Sequence, residues 1–488
     1  MTTRAILVKR FIVLAIFVEL VIGQLPASAA EQTANHRPRS SRLNIVLMLI
    51  DDMGWRDVGF AGNRFIDTPN IDRLAASGIV FTQSYSSAPN CAPTRACLMS
   101  GQYTPRHGVY TVVDPNQAAG SPWHKLLAAE SSAELPTEIE TIAESLRAGG
   151  HATAFFGMWN LGRGRTGPVT PGGQGFDRVV FPENLGFGKD AYFDNSGNYL
   201  SDRLTDEVIG FMEANRNRPF FAYYADHAVH APWEPKSELL SKYQRKLTAS
   251  NDSRDNAEYA ATIEAVDNNV GRIMETLVRL QLTDNTVVIF TSDNGGTQQF
   301  TPPLWGGKGE LYEGGIRVPL AIAGPGVKKP GSLCDAPVTT VDLYPTMLEL
   351  AGFNPRAGQI LDGISLVPAL AGASTLSRKR MFWHFPCYVG RATPSSAVRE
   401  GDFKLIEFFE DGGRYELFDL RADPNEEHDL AAAMPDKAAA LLRSLQEWQQ
   451  QTGAAIPNKS NPNYNPQTAR PRGGQGGRGG PRRPRPPQ

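Results

Sequence analysis

Asn44-Ile45-Val46-Leu47-Met48-Leu49-Ile50 runs directly into Asp51-Asp52. An unbroken apolar run cannot alternate between a wet face and a dry one, so it predicts a strand buried on both faces, as in a parallel sheet covered by helices. Two carboxylates then emerge at its carboxyl end, where open α/β sheets gather their ligands. The pattern recurs further on. Ile263, Val266, Val270, Ile273, Met274 and Leu277 keep helical spacing, and Thr286-Val287-Val288-Ile289-Phe290-Thr291 forms a second buried run ending in Ser292-Asp293-Asn294. Between the two, residues 137–147 carry Ile139, Ile142, Ala143 and Leu146 at helical spacing with Gly149 as a stop, and residues 153–156 read as a short strand.

Strands alternating with helices predict an α/β domain, a large mainly parallel sheet sandwiched by helices. In such a sheet Asp51, Asp52, Asp293 and Asn294 converge at one edge, although the two clusters lie far apart in the chain. Beyond about residue 372 the grammar changes. Phe403-Lys404-Leu405-Ile406 and Tyr415-Glu416-Leu417-Phe418 read as strands of a small antiparallel sheet, closed by a helix over residues 436–449. The expected organisation is a catalytic domain at 42–372, a C-terminal subdomain at 373–455 and a disordered tail at 456–488.

The 488 residues can bury a large core. At the amino end, Arg4, Lys9 and Arg10 precede an apolar run from residue 11 to 23 and then Ala27-Ser28-Ala29. This order is that of a secretory signal peptide over residues 1–30, and the run is too short to span a bilayer, so no transmembrane anchor is expected. A polar linker, 31–41, follows. An exported chain, periplasmic or secreted, meets an oxidising compartment. Yet Cys91, Cys97, Cys334 and Cys387 are its only cysteines, too few to scaffold so large a fold. The formal net charge of -2 points to no particular partner. The tail 469–488 is the exception, with Arg470, Arg472, Arg478, Arg482, Arg483 and Arg485 among Gly and Pro. Arginine clusters bind polyanions, but the plainer reading is a solvated, disordered tail, and a nucleic-acid partner is not expected.

Three carboxylates and an amide oxygen make a hard, all-oxygen site that suits calcium, or magnesium, better than zinc. Singly, an Asp-Asp pair after a strand is often only a turn or a helix cap. Between the clusters stands Cys91-Ala92-Pro93-Thr94-Arg95-Ala96-Cys97-Leu98-Met99-Ser100-Gly101. Read by themselves, Cys91 and Cys97 are equally structural or disulfide-bonded cysteines.

This stretch resembles the sulfatase signature, Cys-x-Pro-Ser/Thr-Arg with Gly six residues after the Arg. Further family-like segments are Asp67-Thr68-Pro69-Asn70-Ile71-Asp72-Arg73-Leu74, Gly306-Gly307-Lys308-Gly309, Tyr312-Glu313-Gly314-Gly315-Ile316-Arg317-Val318-Pro319, Val341-Asp342-Leu343-Tyr344-Pro345-Thr346 and Asp419-Leu420-Arg421-Ala422-Asp423-Pro424, so that the likeness extends from about residue 42 to 450. It implies an alkaline-phosphatase-like fold and hydrolysis of a sulfate ester. It also implies that a maturation enzyme converts Cys91 into formylglycine, whose hydrate attacks sulfur and then expels sulfate by re-forming the aldehyde. Asp51, Asp52, Asp293 and Asn294 would bind calcium together with the modified Cys91. Arg95 would hold the formylglycine oxygens, Lys308 the sulfate, and His230 would contact sulfate or protonate the leaving alkoxide. His227 lies three residues from His230, but the His-Ala-Pro context favours His230. The substrate implied is a sulfated small molecule or polysaccharide.

One departure stands out. Where the family reads Gly-Lys-Trp-His-Leu-Gly, this chain has Gly157-Met158-Trp159-Asn160-Leu161-Gly162. Met158 offers neither donor nor charge, and Asn160 is no base near neutral pH. His124, His151 and His227 are the candidates to compensate. The departure keeps open a weakened, sulfate-binding relative, and the fold keeps open a phosphoesterase or phosphonate hydrolase.

Overall fold

The computed structural model describes residues 42–112, 120–162, 164–297 and 299–468. The expected signal peptide, the linker and the arginine-rich stretch 469–488 lie outside them. Eight strands form the main sheet: β1 (Asn44–Ile50), β2 (Gly78–Phe81), β4 (Ala152–Gly157), β5 (Arg178–Val180), β6 (Phe220–Asp226), β7 (Thr286–Ser292), β8 (Leu320–Ala323) and β9 (Ser332–Cys334). Their order is β5-β4-β6-β1-β7-β8-β2-β9. Every pairing is parallel except those of β8, which runs against both β7 and β2. A two-stranded ribbon pairs β3 (Ser84–Tyr85) with β10 (Val338–Thr339).

The apolar run of β1 behaves as its composition requires. Val46, Met48 and Ile50 pack on one face with the helices Pro69–Ala76, Leu200–Ala214 and Ala257–Arg279. Ile45, Leu47 and Leu49 pack on the other with the helices Cys91–Ser100, Ile142–Ala148 and Leu343–Leu350. Ile45 through Ile50 have no exposed surface. Each such side chain contributes about 1.5–3 kcal/mol on burial, so the strand cannot be moved to an edge cheaply.

The second sheet is antiparallel, in the order β11 (Arg380–Phe385), β12 (Ser395–Glu400), β13 (Phe403–Phe408) and β14 (Arg414–Asp419). The closing helix Pro435–Thr452 covers one face through Leu441, Leu445 and Trp448. The other face rests on Tyr85, Leu311 and Ile316 of the main body. The junction is polar at its centre: Lys404, fully buried, pairs with Glu313 at 3.0 Å and with Glu426 at 2.9 Å. The large mainly parallel sheet between helices and the small C-terminal antiparallel sheet are thus as the alternation predicted.

Two expectations need correction. The helix read over residues 137–147 begins only at Ile142, because Thr141 caps it and forms a capping box with Glu144. Residues 456–468, expected to begin the disordered tail, are tied down against residues 120–127. Lys459 O accepts from Leu127 N at 2.8 Å, Asn461 N donates to Lys125 O, and Asn461 Nδ2 donates to Ser121 O and His124 O. Hydrogen bonding to a neighbouring segment supplies the order that composition could not show. Among the described residues no helix is long and apolar enough to cross a membrane.

Candidate active site

The four strands β4, β6, β1 and β7 are neighbours and run parallel, so their carboxyl ends lie side by side. From those ends emerge Met158 and Asn160, then His227 and His230, then Asp51 and Asp52, then Asp293 and Asn294. Cys91 opens the helix Cys91–Ser100 facing them, and Arg95 follows one turn later on the same face. Gly101 ends this helix with φ 69°, a left-handed turn that glycine adopts without strain.

All eight residues singled out in the sequence converge here. Cys91 Sγ lies 3.6 Å from Asp51 Oδ1. Arg95 Nη2 bridges Asp51 Oδ2 at 3.0 Å and Asp293 Oδ2 at 2.8 Å, and Nη1 donates to the Met158 carbonyl. Lys308 Nζ reaches Asp52 Oδ1 at 2.7 Å and Oδ2 at 2.9 Å. Asn294 Nδ2 donates to Asp52 Oδ1 at 2.8 Å, and Asp52 N donates to Asp293 Oδ1. His230 Nε2 sits 3.8 Å from Asp52 Oδ2, with its side chain 36% exposed, whereas the acids and Arg95 are buried. His230 Nδ1 is 2.7 Å from Ala231 O. That carbonyl can only accept, so the Nδ1 proton is committed to it.

Burial and charge set the ionisation. Burial works against Asp52, but Lys308 and His230 outweigh it and hold its carboxyl below the usual range. Burial and the neighbouring Asp51 push Asp293 up to about 7, against the pull of Arg95. Burial opposes the Lys308 ammonium as well, yet Asp52 and the other acids keep it firmly protonated. The Cys91 thiol is pushed well up by burial and by Asp51, so as an unmodified cysteine it is a poor nucleophile.

Three buried carboxylates therefore share two permanent cations, Arg95 and Lys308. Asn294 Oδ1 is buried without a hydrogen-bond partner. One ligand atom each from Asp51, Cys91 and Asp293 lie within 4.8 Å of one another, as do those of Asp51, Asp52 and His230. An oxygen-rich cluster short of positive charge, with an orphaned amide oxygen, fits a hard divalent cation.

The histidines considered as replacements separate by position. His151 lies at the opposite end of β4, its Nε2 3.0 Å from Leu43 O, and His124 stacks on Tyr388. Only His227 adjoins the site, its ring 5.4 Å from that of His230. It is buried, its Nε2 has no partner, and burial with His230 beside it pulls the imidazole down to about 4. Asn160 has φ 60°, a conformation that asparagine tolerates better than most residues. All four cysteines are free and buried, so Cys91 and Cys97 do not form the disulfide that their spacing left open. Three contributors escaped the sequence reading. Tyr192 OH donates to His230 O at 2.6 Å, Trp233 Nε1 donates to Val229 O, and Asp226 Oδ1 accepts from Ala228 N. Together they hold the loop that carries His230, and of them only Asp226, an acid ending a strand, carries a sequence signal.

A family model described as Sulfatase matches residues 43–353, and one described as N-sulphoglucosamine sulphohydrolase, C-terminal, matches residues 304–451. The chain belongs to the sulfatase family. A sulfatase of Formosa agariphila is 31% identical, the alignment covering 90% of this chain and 94% of that one. The N-acetylgalactosamine-6-sulfatase of Canis lupus familiaris is 31% identical over 74% of this chain and 71% of its own. Among solved structures, Ps i-CgsB in complex with k-i-k-neocarrahexaose superposes with a TM-score of 0.71 at 28% identity, covering 86% of this chain and 95% of that one. This sulfatase is accordingly a sulfuric ester hydrolase, on the alkaline-phosphatase-like fold of its relatives.

Proposed function

We propose that this sulfatase is exported and hydrolyses a sulfate ester on a carbohydrate, with Cys91 matured to formylglycine and calcium as the preferred cation. The observation that carries the reading is the convergence of Cys91, three carboxylates and the unpartnered Asn294 Oδ1 at one edge of the sheet. The carbohydrate part rests on relatives named for sulfated sugars or solved with an oligosaccharide. Asp51, Asp52, Asp293 and Asn294 would hold the cation, which when bound offers a sulfate oxygen a Lewis acid. Formylglycine at position 91 would supply a hydrated aldehyde as nucleophile.

The remaining work falls to side chains in place. Arg95, fixed by two carboxylates one turn along the helix from Cys91, would orient residue 91. Lys308 brings a fixed positive charge to the sulfate, where charge develops during transfer. His230 stands at the open side of the site. Because its Nδ1 proton is committed to Ala231 O, the proton available to a leaving alkoxide is the one on Nε2.

Two measurements test this. The mass of the peptide containing residue 91 should show the aldehyde when the protein is made with a maturation enzyme. The matured protein should release sulfate from members of a panel of sulfated sugars, aryl sulfates and steroid sulfates. Met158 and Asn160 favour a second reading, a sulfate-binding relative with little turnover. That reading wins if the aldehyde is present and no member of the panel is hydrolysed, and unmodified thiol alone would remove the formylglycine chemistry.

A further inference from the structure

Apart from the catalytic edge, a cavity of about 310 Å³ opens where the two sheets meet, between residues 335–337 of the main body and residues 374–376, 378–381, 399 and 401 of the subdomain. Its size matches the lower end of ligand pockets, about 300–1,000 Å³. Four cations line it, Arg378, Lys379, Arg380 and Arg399, with Asp335 as the acid of the lining, while Asp342 and Glu400 pair with Arg378 and Arg380 from beside it. Three of the cations are fixed by the fold. Arg378 is clamped by Asp342 at 2.6 and 2.8 Å, Arg380 Nε by Glu400 at 2.6 Å, and buried Arg399 by Tyr85, Gln83 and Gly401 O. Lys379 is exposed and has no ion-pair partner among the described residues. Leu376, Pro337 and, mostly buried, Met381 are apolar members of the same lining. Apolar side chains and cations lining one cavity suit a sugar ring bearing an anionic group, since guanidinium and ammonium both donate to sulfate or carboxylate oxygens.

The cavity is distinct from the catalytic pocket. It lies at the end of the small sheet marked by Arg380 and Gly401, whereas the turn between β11 and β12, at the other end, packs on Gly309 beside Lys308. A Cβ on Gly309 would stand 3.1 Å from Val389 O and 3.2 Å from the Ala392 side chain. The six-residue strands between them span about 17–20 Å. One sugar held at Lys308 does not reach so far, and a chain of several does.

We propose that this basic cavity binds a sulfated unit of an anionic saccharide chain, apart from the unit that is cleaved. The ligand class rests on the carbohydrate-sulfatase reading, and the test separates the two. Lys379→Ala with Arg380→Ala, and Lys379→Glu as a second variant, are made in the full chain. Binding is measured in a Cys91→Ala background with a sulfated hexasaccharide, its neutral counterpart and a single-stranded oligonucleotide. Turnover of a small aryl sulfate is measured with residue 91 matured. The expected result is a Kd for the sulfated hexasaccharide raised about five- to thirtyfold, for the loss of two charge contacts, with aryl sulfate turnover and the unfolding midpoint unchanged. An unchanged Kd overturns the proposal, as does equal weakening of the neutral sugar. An oligonucleotide that competes as well as the sulfated sugar overturns the assignment to a glycan. Absence of aryl sulfate turnover in the parent enzyme counts against the catalytic reading and leaves the binding comparison intact.

Discussion

Asp52 receives Lys308 on both oxygens, the Asn294 amide on one and the His230 ring at longer range, so one carboxylate ties together three other site residues. Replacing Lys308 by Ala leaves Asp52 without its fixed cation and, on the proposed mechanism, removes a contact to the sulfate. Sulfatase kcat/KM should fall about 10²–10³-fold, the usual loss for one donor to developing charge. Met158→Lys with Asn160→His tests the departure in the same pocket. Turnover should rise if the surrounding groups are otherwise complete, and a fall would show a site adapted to its present residues. Asp57 gives a pH signature. Burial pushes its carboxyl up to about 7 despite hydrogen bonds from Tyr259 and from Gly54 of the Asp52 loop. Its folded value lies above the unfolded one, so its contribution to stability is present below about pH 4 and lost as pH rises through 7. Urea midpoints of the parent should therefore decline more than those of Asp57→Asn between pH 5 and 8.

The elements differ in how plainly the sequence announces them. The helix Ala257–Arg279 keeps one apolar face over its whole length, and β1 and β7 are mostly apolar and buried at every position, because covered parallel strands have no wet side. β12, Ser395-Ser396-Ala397-Val398-Arg399-Glu400, shows no such pattern, yet five of its six residues are buried. Its polar groups are matched one by one, Ser396 with His384 at 2.6 Å and Arg399 with Tyr85 and Gln83. Pairing of this kind is invisible to periodicity. β13 carries the same principle to the junction, where Lys404 lies between Glu313 and Glu426 with no exposed surface. Lys404→Met strands two buried acids and should cost about 3–5 kcal/mol in denaturant unfolding. A loss below 1 kcal/mol would mean that the acids take up protons or water freely.

For the whole molecule, the excess of acid at the sheet edge links cation binding to folding. Three buried carboxylates offset by only two cations, Arg95 and Lys308, should be stabilised by a divalent ion that binds only the folded chain. Treatment with a chelator should lower the unfolding midpoint by about 2–5 °C, and calcium should restore it better than zinc. An unchanged midpoint would count against a resident cation.

The sequence by itself determined that the main sheet is mainly parallel and covered by helices, and it singled out the eight residues proposed for the site. Apolar runs of strand length that end in acids read as covered strands, and parallel strands deliver their carboxyl ends to one edge. It also exposed Met158 and Asn160 as a departure. The tertiary structure alone decided which histidine faces Asp52, that Cys91 and Cys97 stay unpaired, that residues 456–468 are tied to residues 120–127, and that Arg378, Lys379, Arg380 and Arg399 share one cavity. Each of these depends on side-chain direction and on contacts between segments remote in the chain, and local pattern carries information about neither.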